Sequence, residues 1–441
     1  MAITLGSQTT IRPSETARTD QHEQLVRRAH DRILQDLDVR QLEGVDADEA
    51  RRLVALATDA ILREIAPSLA AITRQDVTDA VLSEVLGYGP IQPLLDDPDI
   101  SEVMINAPNE VFYEKAGVLY QSSIRFRNNE HILRIADRIV APLGRRLDES
   151  SPMVDARLPD GSRVNIVIAP VAVKSPSLSI RKFRSDRFDF DDLIRIGSVT
   201  EQVAGFIRAS VISKVNVVIS GGTGSGKTTL LNALSAFIPR QERVVTIEDP
   251  IEIQLRQPHV VTLEARPPTG ESKASVTQRD LVRNALRMRP DRIIVGEVRG
   301  SEAFDMMQAM NTGHEGSVTT VHANTPRDAL ARIENMVMMA GFELPTRAIR
   351  EQMASALHLI IQAERLVDGT RRITSVTEVS GMEGDVITLQ EIFKFEGQRM
   401  NEEGRIEGQL VATGIRPRFA DKFSRYSVNE AWLTGAGGGK S

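Results

Sequence analysis

Apolar residues recur every three or four positions between residues 21 and 86, as Leu25, Ala29 and Ile33 illustrate. This spacing places the apolar side chains on one face of an α-helix. The sequence therefore predicts a small helical bundle over residues 21–86. The preceding residues 1–20 are polar and carry few apolar side chains, so we expect them to be disordered.

The pattern changes between residues 87 and 185, where short apolar runs follow one another closely. Residues 103–106, 111–113 and 164–168 are rich in β-branched and aromatic side chains, which is typical of strands. Residues 131–143 have the periodicity of a helix. We therefore predict an α+β domain over residues 87–185.

After a predicted linker at residues 186–198, strand and helix patterns alternate up to residue 430. This alternation predicts an α/β fold, in which a mostly parallel sheet carries helices on its faces. Ligands bind such sheets beyond the carboxyl ends of the strands. The glycine-rich residues 431–441 are predicted to form a flexible tail. The predicted central strands are residues 217–220, 244–247, 293–295 and 318–321.

The composition narrows the class of protein. The 441 residues include 41% hydrophobic but only 4% aromatic side chains, which suits two or three aliphatic cores. The net charge of −6 argues against bulk binding of nucleic acid, and the absence of cysteine excludes disulfides and thiolate metal sites. No apolar run approaches the roughly 18 residues of a membrane span, and the first residues lack a secretion signal. We expect a soluble, cytoplasmic protein.

A glycine-rich loop follows the first predicted strand of the α/β region. Residues 221–228 read GGTGSGKT, and an apolar helical pattern follows them. The spacing G-x-x-x-x-G-K-T between a strand and a helix is that of a phosphate-binding P-loop. Its glycines let backbone N–H groups turn towards phosphate oxygens, and the helix N-terminus adds a positive field. Lys227 is predicted to reach the β- and γ-phosphates, and the Thr228 hydroxyl to hold Mg²⁺. The predicted binding residues for a nucleoside triphosphate are Gly222, Thr223, Gly224, Ser225, Gly226, Lys227, Thr228 and Thr229.

Two carboxylates follow other predicted strands of the same sheet. Glu297 comes directly after residues 293–296, at the place of a Walker B acid, although that acid is more often aspartate. We expect it to hold a water bound to Mg²⁺ or to polarise the attacking water. Glu248 begins a cluster with Asp249 and Glu252 that would repel a triphosphate unless Mg²⁺ or water intervened. A solvated carboxylate is the alternative at each of these positions.

Two histidines lie near the predicted strand at residues 318–321. His322 follows this strand directly, and we expect it to hydrogen-bond the γ-phosphate or the water beside Glu297. His314 precedes the strand and is a candidate for nucleotide binding. A structural role is the alternative for both.

Arginine suits phosphate recognition because its guanidinium binds two oxygens at once, but most of the 54 basic residues must be solvated.

Together these motifs resemble those of a known family. Residues 246–252 are similar to its Asp box, residues 286–300 to its Walker B block and residues 312–324 to its His box. With the P-loop they resemble the secretion ATPases of the type II and type IV superfamily, which are ring-forming motors of pili and secretion. The resemblance covers about residues 85–400.

Finer features resemble the tight-adherence (Tad) pilus motors of the CpaF type. They lie at residues 87–91, 96–106, 155–165, 178–183 and 412–417. The type II secretion branch often carries a zinc insertion with four cysteines, so the absence of cysteine disfavours it. The conjugation-type branch (VirB11-like) is close and stays open. The helical extension at residues 21–86 mildly favours the Tad branch.

The resemblance implies a RecA-like ATPase domain over residues 199–430, capped by the preceding α+β domain. It implies ATP as the nucleotide, Mg²⁺ as the metal, and a homohexamer with ATP at its subunit boundaries. Arginines of the family's cap domain approach the phosphates, which indicates Arg163 and Arg181 as catalytic residues. Arg266 becomes a weaker candidate for nucleotide binding.

The resemblance also implies partners and a location. The partners would be inner-membrane pilus platform proteins, without direct contact to nucleic acid, at the cytoplasmic face of the inner membrane. A DNA-translocating motor and a nucleotide-gated scaffold without turnover remain as rival hypotheses. The candidate catalytic residues are Glu297, Glu248, His322, Arg163 and Arg181, and the candidate metal ligands are Thr228, Glu248 and Glu297.

Overall fold

The computed structural model describes residues 13–36, 45–115, 117–183, 188–266, 275–341 and 343–428. The chain forms two compact units that divide between residues 185 and 186. The predicted flexible tail at residues 431–441 lies outside the described residues, as do the first twelve residues of the segment predicted to be disordered.

A bundle of three helices begins the first unit. Helix α1 spans Pro13–Asp36, α2 spans Ala47–Ile65 and α3 spans Ala71–Val85. Apolar side chains of all three helices form one buried core. Helix α1 begins inside residues 1–20, for which the sequence predicted disorder. Its first turns contain glutamate, alanine, arginine and glutamine, whose helix propensity is high even where few apolar residues are present.

A six-stranded antiparallel sheet forms the rest of the first unit. Its strands are β1 (Ile100–Ala107), β2 (Glu110–Lys115), β3 (Val118–Gln121), β4 (Met153–Arg157), β5 (Arg163–Val167) and β6 (Ser177–Arg181). Their order across the sheet is β3-β2-β1-β6-β5-β4. The short helix α4 (Gln92–Asp96) precedes the sheet, and helix α5 (Asn129–Val140) packs on one of its faces. Ile132 and Ile135 of α5 share a buried core with Val103 and Val164 of the sheet.

A nine-stranded sheet forms the centre of the second unit. Its strands are β7 (Val217–Gly221), β8 (Val244–Glu248), β9 (Val260–Glu264), β10 (Arg292–Val295), β11 (Val318–Val321), β12 (Leu359–Arg365), β13 (Arg371–Glu383), β14 (Val386–Met400) and β15 (Ile406–Ala412). Six strands are parallel in the order β12-β7-β11-β10-β8-β9. Three antiparallel strands, β13 to β15, extend the sheet beyond β12.

Helices cover both faces of this sheet. Helices on one face share a buried core with β7, and helices on the other share a second core with β10. The predicted α/β fold is therefore confirmed. No helix in the described ranges is both long and apolar enough to cross a lipid bilayer. The helices are α6 (Phe190–Arg195), α7 (Glu201–Ile212), α8 (Lys227–Ser235), α9 (Gln278–Ala285), α10 (Glu302–Asn311), α11 (Pro326–Met339), α12 (Thr346–Ala356) and α13 (Asp421–Arg425).

The segment predicted as a linker, residues 186–198, contains helix α6. Asp189 accepts the backbone N–H of Asp192, and the Asp192 side chain accepts the backbone N–H of Asp189 in return. This reciprocal capping stabilises the start of a short helix. Phe190 and Leu193 are buried in the core of the second unit. The acidic run that resembled a linker is thus largely the capped N-terminus of a packed helix.

A buried ion pair lies at the amino edge of the parallel strands. Arg292, the first residue of β10, is fully buried and pairs with Glu242. Its Nη1 also donates to the Gly316 carbonyl at 3.2 Å. Asn216, just before β7, accepts the N–H of Gly316 at 2.7 Å. These bonds join the first residue of β10 to the segments that precede β8, β11 and β7. They therefore help to hold the four parallel strands in register.

We expect Arg292→Met to lower the free energy of unfolding by about 3 to 5 kcal/mol. The substitution leaves the largely buried Glu242 carboxylate without its principal partner. Urea unfolding followed by circular dichroism measures the change. Arg347→Met is the matched control, since the ion pairs of Arg347 with Glu351 and Asp385 are both exposed. Equal stability of the two variants would contradict this account of the buried pair.

Candidate active site

Four parallel strands end at one edge of the second sheet. Strands β7, β11, β10 and β8 are neighbours in that order. Their carboxyl ends lead into the glycine loop, His322, Glu297 and Glu248. Parallel strands that share a register bring the residues after them to the same edge. The fold therefore brings the P-loop and three of the predicted catalytic side chains to one edge.

The glycine loop has the conformation that a phosphate cradle requires. Gly224 and Gly226 have φ angles of 70° and 94°, in the left-handed region that glycine adopts without strain. A Cβ atom at Gly222 or Gly224 would meet no heavy atom within 4 Å in the described part of the chain. Helix α8 begins at Lys227, so its first N–H groups adjoin the loop. The loop thus presents open backbone donors at a helix N-terminus.

Lys227 connects the loop to the neighbouring strand. Its Nζ donates to the carbonyls of Gly221 and Gly222 at 3.0 and 2.9 Å, and lies 3.3 Å from Nε2 of His322. The same Nε2 lies 3.1 Å from Oε1 of Glu297. Burial lowers the pKa of Lys227. Burial and the nearby Lys227 ammonium lower the pKa of His322. Lysine, histidine and glutamate therefore form one continuous chain of contacts.

A second set of bonds fixes Glu297 from the other side. Arg299 donates through Nε and Nη2 to Glu297 Oε2 at 2.9 and 2.6 Å. The buried Glu302 accepts the backbone N–H groups of Arg299 and Gly300 at 2.6 and 2.8 Å. The loop after β10 is therefore held by its own arginine and by the start of helix α10. The sequence did not predict these roles for Arg299 or Glu302.

Glu248 is the most deeply buried carboxylate at this edge, with 2% of its surface exposed. Its Oε2 accepts the N–H groups of Glu252 and Ile253 at 2.7 and 2.8 Å. Its Oε1 is buried and has no hydrogen-bond partner among the described residues. A Cβ atom at Gly296 would lie 3.0 Å from Glu248 Cγ, so the carboxylate packs against the residue before Glu297. Burial raises the pKa of Glu248 to about 7.

Two further side chains at this edge were not predicted from the sequence. Nε of Arg371, the first residue of β13, donates to the Gly224 carbonyl of the glycine loop at 2.8 Å. Gln278 begins helix α9. In the amide orientation that gives both of its polar atoms a partner, it donates to the Glu297 carbonyl at 3.1 Å and accepts from Asp249 N at 3.2 Å. Both residues are distant from their partners in the chain, and no local motif marks them.

The structure places two predicted binding residues away from the glycine loop. His314 lies before β11, and its carbonyl accepts the Ser317 hydroxyl at the amino edge of the sheet. Because the glycine loop follows the carboxyl end of β7, His314 lies at the opposite edge, and we correct its predicted place in the site. Arg266 follows β9, which is four strands from β7. At about 4.8 Å per strand, β9 lies roughly 19 Å from β7.

Arg163 and Arg181 lie in the first unit and face each other across neighbouring strands. They are direct partners in the register of β5 and β6. Arg157 is the partner of Arg163 on β4. Direct partners project to the same face of a sheet, so three guanidinium groups form a row there. We name these three residues the arginine row.

Comparison with known proteins identifies the family. Residues 84–406 match the family described as Type II/IV secretion system protein. The chain belongs to this family. It is 38% identical over 310 residues to a candidate conjugal transfer protein of Mycobacterium tuberculosis, covering 69% of this chain and 88% of that protein. It is 34% identical over 343 residues to the type IV secretion system protein VirB11 of Bartonella henselae, covering 69% of this chain and 94% of that protein.

A solved structure supports the fold of this secretion protein. The pilus retraction motor PilT with bound ADP has a TM-score of 0.51 and 20% identity, covering 78% of this chain and 88% of that one. The predicted RecA-like fold is therefore confirmed. The prediction that the chain is an enzyme, an ATPase of the type II/IV secretion family, is also confirmed.

The site of this secretion ATPase fits a triphosphate with its metal. Buried polar atoms without partners in the described ranges include Oε1 of Glu248 and Oγ of Ser225 in the glycine loop. No group of three histidine, aspartate or glutamate side chains in those ranges could hold a metal by itself. Mg²⁺ is commonly held by one or two protein ligands together with phosphates of the substrate. Thr228, which is half-buried, supplies a hydroxyl beside Lys227.

Glu248 should make the stability of the metal-free protein depend on pH. Its pKa is about 7 in the folded protein and near the ordinary 4.5 after unfolding, so the folded state binds an extra proton between these values. The stabilisation is therefore complete below about pH 4.5 and is lost as the pH rises to about 7. We expect this group to contribute roughly 3 kcal/mol to that decline.

Urea unfolding in EDTA at several pH values measures this contribution. Glu248→Gln stays neutral, so its free energy of unfolding should decline less than that of the wild type between about pH 5 and 7.5. The exposed Glu391→Gln variant should keep the wild-type slope. A Glu248→Gln variant with the wild-type slope would contradict the raised pKa of Glu248.

Proposed function

We propose that this ATPase is the hexameric motor of a Tad-type pilus and that it drives an inner-membrane platform protein by Mg²⁺-dependent hydrolysis of ATP. The observation that carries the enzymatic part is the contact chain from Lys227 through His322 to Glu297. It joins the phosphate-binding lysine to the carboxylate at the Walker B position. The helical bundle Pro13–Val85, which lies almost entirely before the family match, supports the Tad branch.

In this proposal, the residues at the carboxyl edge of the second sheet have distinct roles. The backbone N–H groups of the glycine loop and Lys227 bind the phosphates. Thr228 helps to hold Mg²⁺, which would neutralise charge on the phosphate oxygens. Glu297 orients and polarises the attacking water, and Arg299 holds its carboxylate in place. Glu248 is the second candidate for water or metal positioning, since its Oε1 is buried without a partner in the part of the chain that the structure describes.

His322 is the sensor of the γ-phosphate in this proposal. Its imidazole contacts both the lysine that binds phosphate and the carboxylate that orients water. When Lys227 binds a phosphate oxygen, the contacts of His322 must change as well. Helix α11 begins four residues later at Pro326, capped by Thr325. A change at His322 can therefore reach a helix within a few residues, which couples hydrolysis to movement.

The arginine row supports a role for Arg163 and Arg181 in phosphate recognition. The register of β4, β5 and β6 places these guanidinium groups side by side on one face of the sheet. Guanidinium groups suit the oxygens of a phosphate. We propose that these two arginines stabilise the charge on ATP bound to another subunit of the ring.

A conjugation-type secretion ATPase is the second candidate function. The observation that favours it is the identity shared with the conjugal transfer protein of Mycobacterium tuberculosis and with VirB11 of Bartonella henselae. The two functions predict different defects in the cell when ATP hydrolysis stops. Introducing Glu297→Gln on the chromosome of the source organism separates them. Loss of surface pili in electron micrographs with normal plasmid transfer supports the Tad assignment, and the reverse result supports conjugation.

We expect Glu297→Gln to lower kcat for ATP by at least about a hundredfold, because the amide cannot accept a proton or polarise the water. The variant should still bind ATP, since the glycine loop and Lys227 are unchanged. Steady-state turnover and equilibrium binding of a fluorescent ATP analogue measure the two quantities. Glu391→Gln, exposed on β14, is the matched control. Unchanged turnover in Glu297→Gln would move water activation to Glu248.

We expect Arg163→Ala and Arg181→Ala each to lower kcat about tenfold or more while changing ATP affinity little. Mixed rings with Lys227→Ala subunits test whether the arginines act on another subunit. Each variant alone should turn over slowly, and mixing should restore part of the activity. Arg125→Ala, an exposed arginine of the same unit, should turn over normally. If mixing restores no activity, the arginines do not act across the subunit boundary.

A further inference from the structure

A glutamine interrupts the apolar strand beside the glycine loop. Gln362 follows Leu359, Ile360 and Ile361 in β12, and only 2% of its surface is exposed. Its backbone lies opposite Ser220 in β7, and the next pair in the register is Ala363 with Gly221, the first residue of the glycine loop. Gln362 is therefore a buried polar side chain on the strand that adjoins the P-loop strand.

The amide of Gln362 holds the loop that carries His322. Its Nε2 donates to the carbonyls of Asn324 and Ala323 at 3.0 and 3.3 Å. The Ser220 hydroxyl reaches the same Ala323 carbonyl at 3.5 Å. These two carbonyls belong to the residues directly after His322. The backbone that orients the histidine is thus tied to two strands that support the glycine loop.

The contacts of Gln362 favour a role in positioning the His322 loop over a role in stabilising the fold. Its Oε1 is buried and has no hydrogen-bond partner within the described ranges. A buried oxygen without a partner loses its hydration and gains nothing in return. Half of the hydrogen-bonding capacity of this buried amide is therefore unused. Both hydrogen bonds that the side-chain amide donates are made to the His322 loop.

We propose that Gln362 is a positioning residue for hydrolysis: it holds the His322 loop so that the imidazole stays between Lys227 and Glu297. The proposal rests on the proposed role of His322. The imidazole lies 3.3 Å from Lys227 Nζ and 3.1 Å from Glu297 Oε1. Contacts of this length tolerate little displacement, and a shift of about 1 Å can lower a rate by about a hundredfold.

Gln362→Met is the test variant, and the chain offers a matched control. Gln257 has the same pattern of contacts: its Nε2 donates to the Ser235 and Ile238 carbonyls at 3.1 and 2.7 Å, and its Oε1 is buried without a partner in the described part of the protein. These carbonyls lie at the end of α8, away from His322. Gln257→Met therefore removes the same kind of bonds without touching the His322 loop.

The measurement is steady-state ATP turnover by the full-length protein, together with the melting temperature. We expect Gln362→Met to lower kcat about tenfold or more while KM for ATP changes less than about threefold. Gln257→Met should leave kcat within about twofold of the wild type even if both melting temperatures fall. Equal kcat in the two variants would overturn the proposal. Gln362→Leu, which also lacks a hydrogen-bond donor, should lower kcat likewise if the methionine variant does not fold.

A double-mutant cycle separates this proposal from the role of His322 itself. If Gln362 acts through His322, Gln362→Met should lower kcat much less in a His322→Ala background than in the wild type. An undiminished effect in that background would overturn the proposal. Normal turnover in His322→Ala alone would instead show that the proposed role of His322 is wrong. Slow turnover in His322→Ala combined with normal turnover in Gln362→Met would leave that role standing and remove Gln362 from it.

Discussion

The parallel pairing of β7, β11, β10 and β8 is the constraint on which the rest of the site depends. Their shared register brings the segments after them to one edge, although these segments are far apart in the chain. Lys227, His322 and Glu297 can then form one chain of contacts. If β7, β11 or β10 were reversed, the side chain that follows it could not reach the other two, because its carboxyl end would lie at the opposite edge.

The buried charged side chains at the two edges of this sheet differ in their hydrogen-bond partners. At the amino edge, the buried Arg292 is paired with Glu242 and also donates to a backbone carbonyl. At the carboxyl edge, Glu248 Oε1 and the Ser225 hydroxyl are buried without partners among the described residues, and burial raises the pKa of Glu248 to about 7. A paired buried charge stabilises structure, whereas a buried carboxylate with a perturbed pKa is typical of a binding or catalytic site.

Local patterns in the sequence predicted much of this. The P-loop, the four central strands and the positions of Glu248, Glu297 and His322 all follow from short runs of residues, because a strand and the loop after it are local features. Arg371 could not be predicted to contact the loop, since 147 residues separate it from Gly224. Gln278 and Gln362 likewise act through contacts that only the tertiary fold creates, and His314 was misplaced because its distance from the loop depends on strand direction.

A crystal structure with Mg²⁺ and a non-hydrolysable ATP analogue tests the central claim most directly. The account predicts that the phosphates contact the N–H groups of the glycine loop, that Lys227 Nζ binds a phosphate oxygen instead of the Gly221 and Gly222 carbonyls, and that His322 and Glu297 face the γ-phosphate. A nucleotide bound elsewhere, or a γ-phosphate remote from both His322 and Glu297, would contradict it.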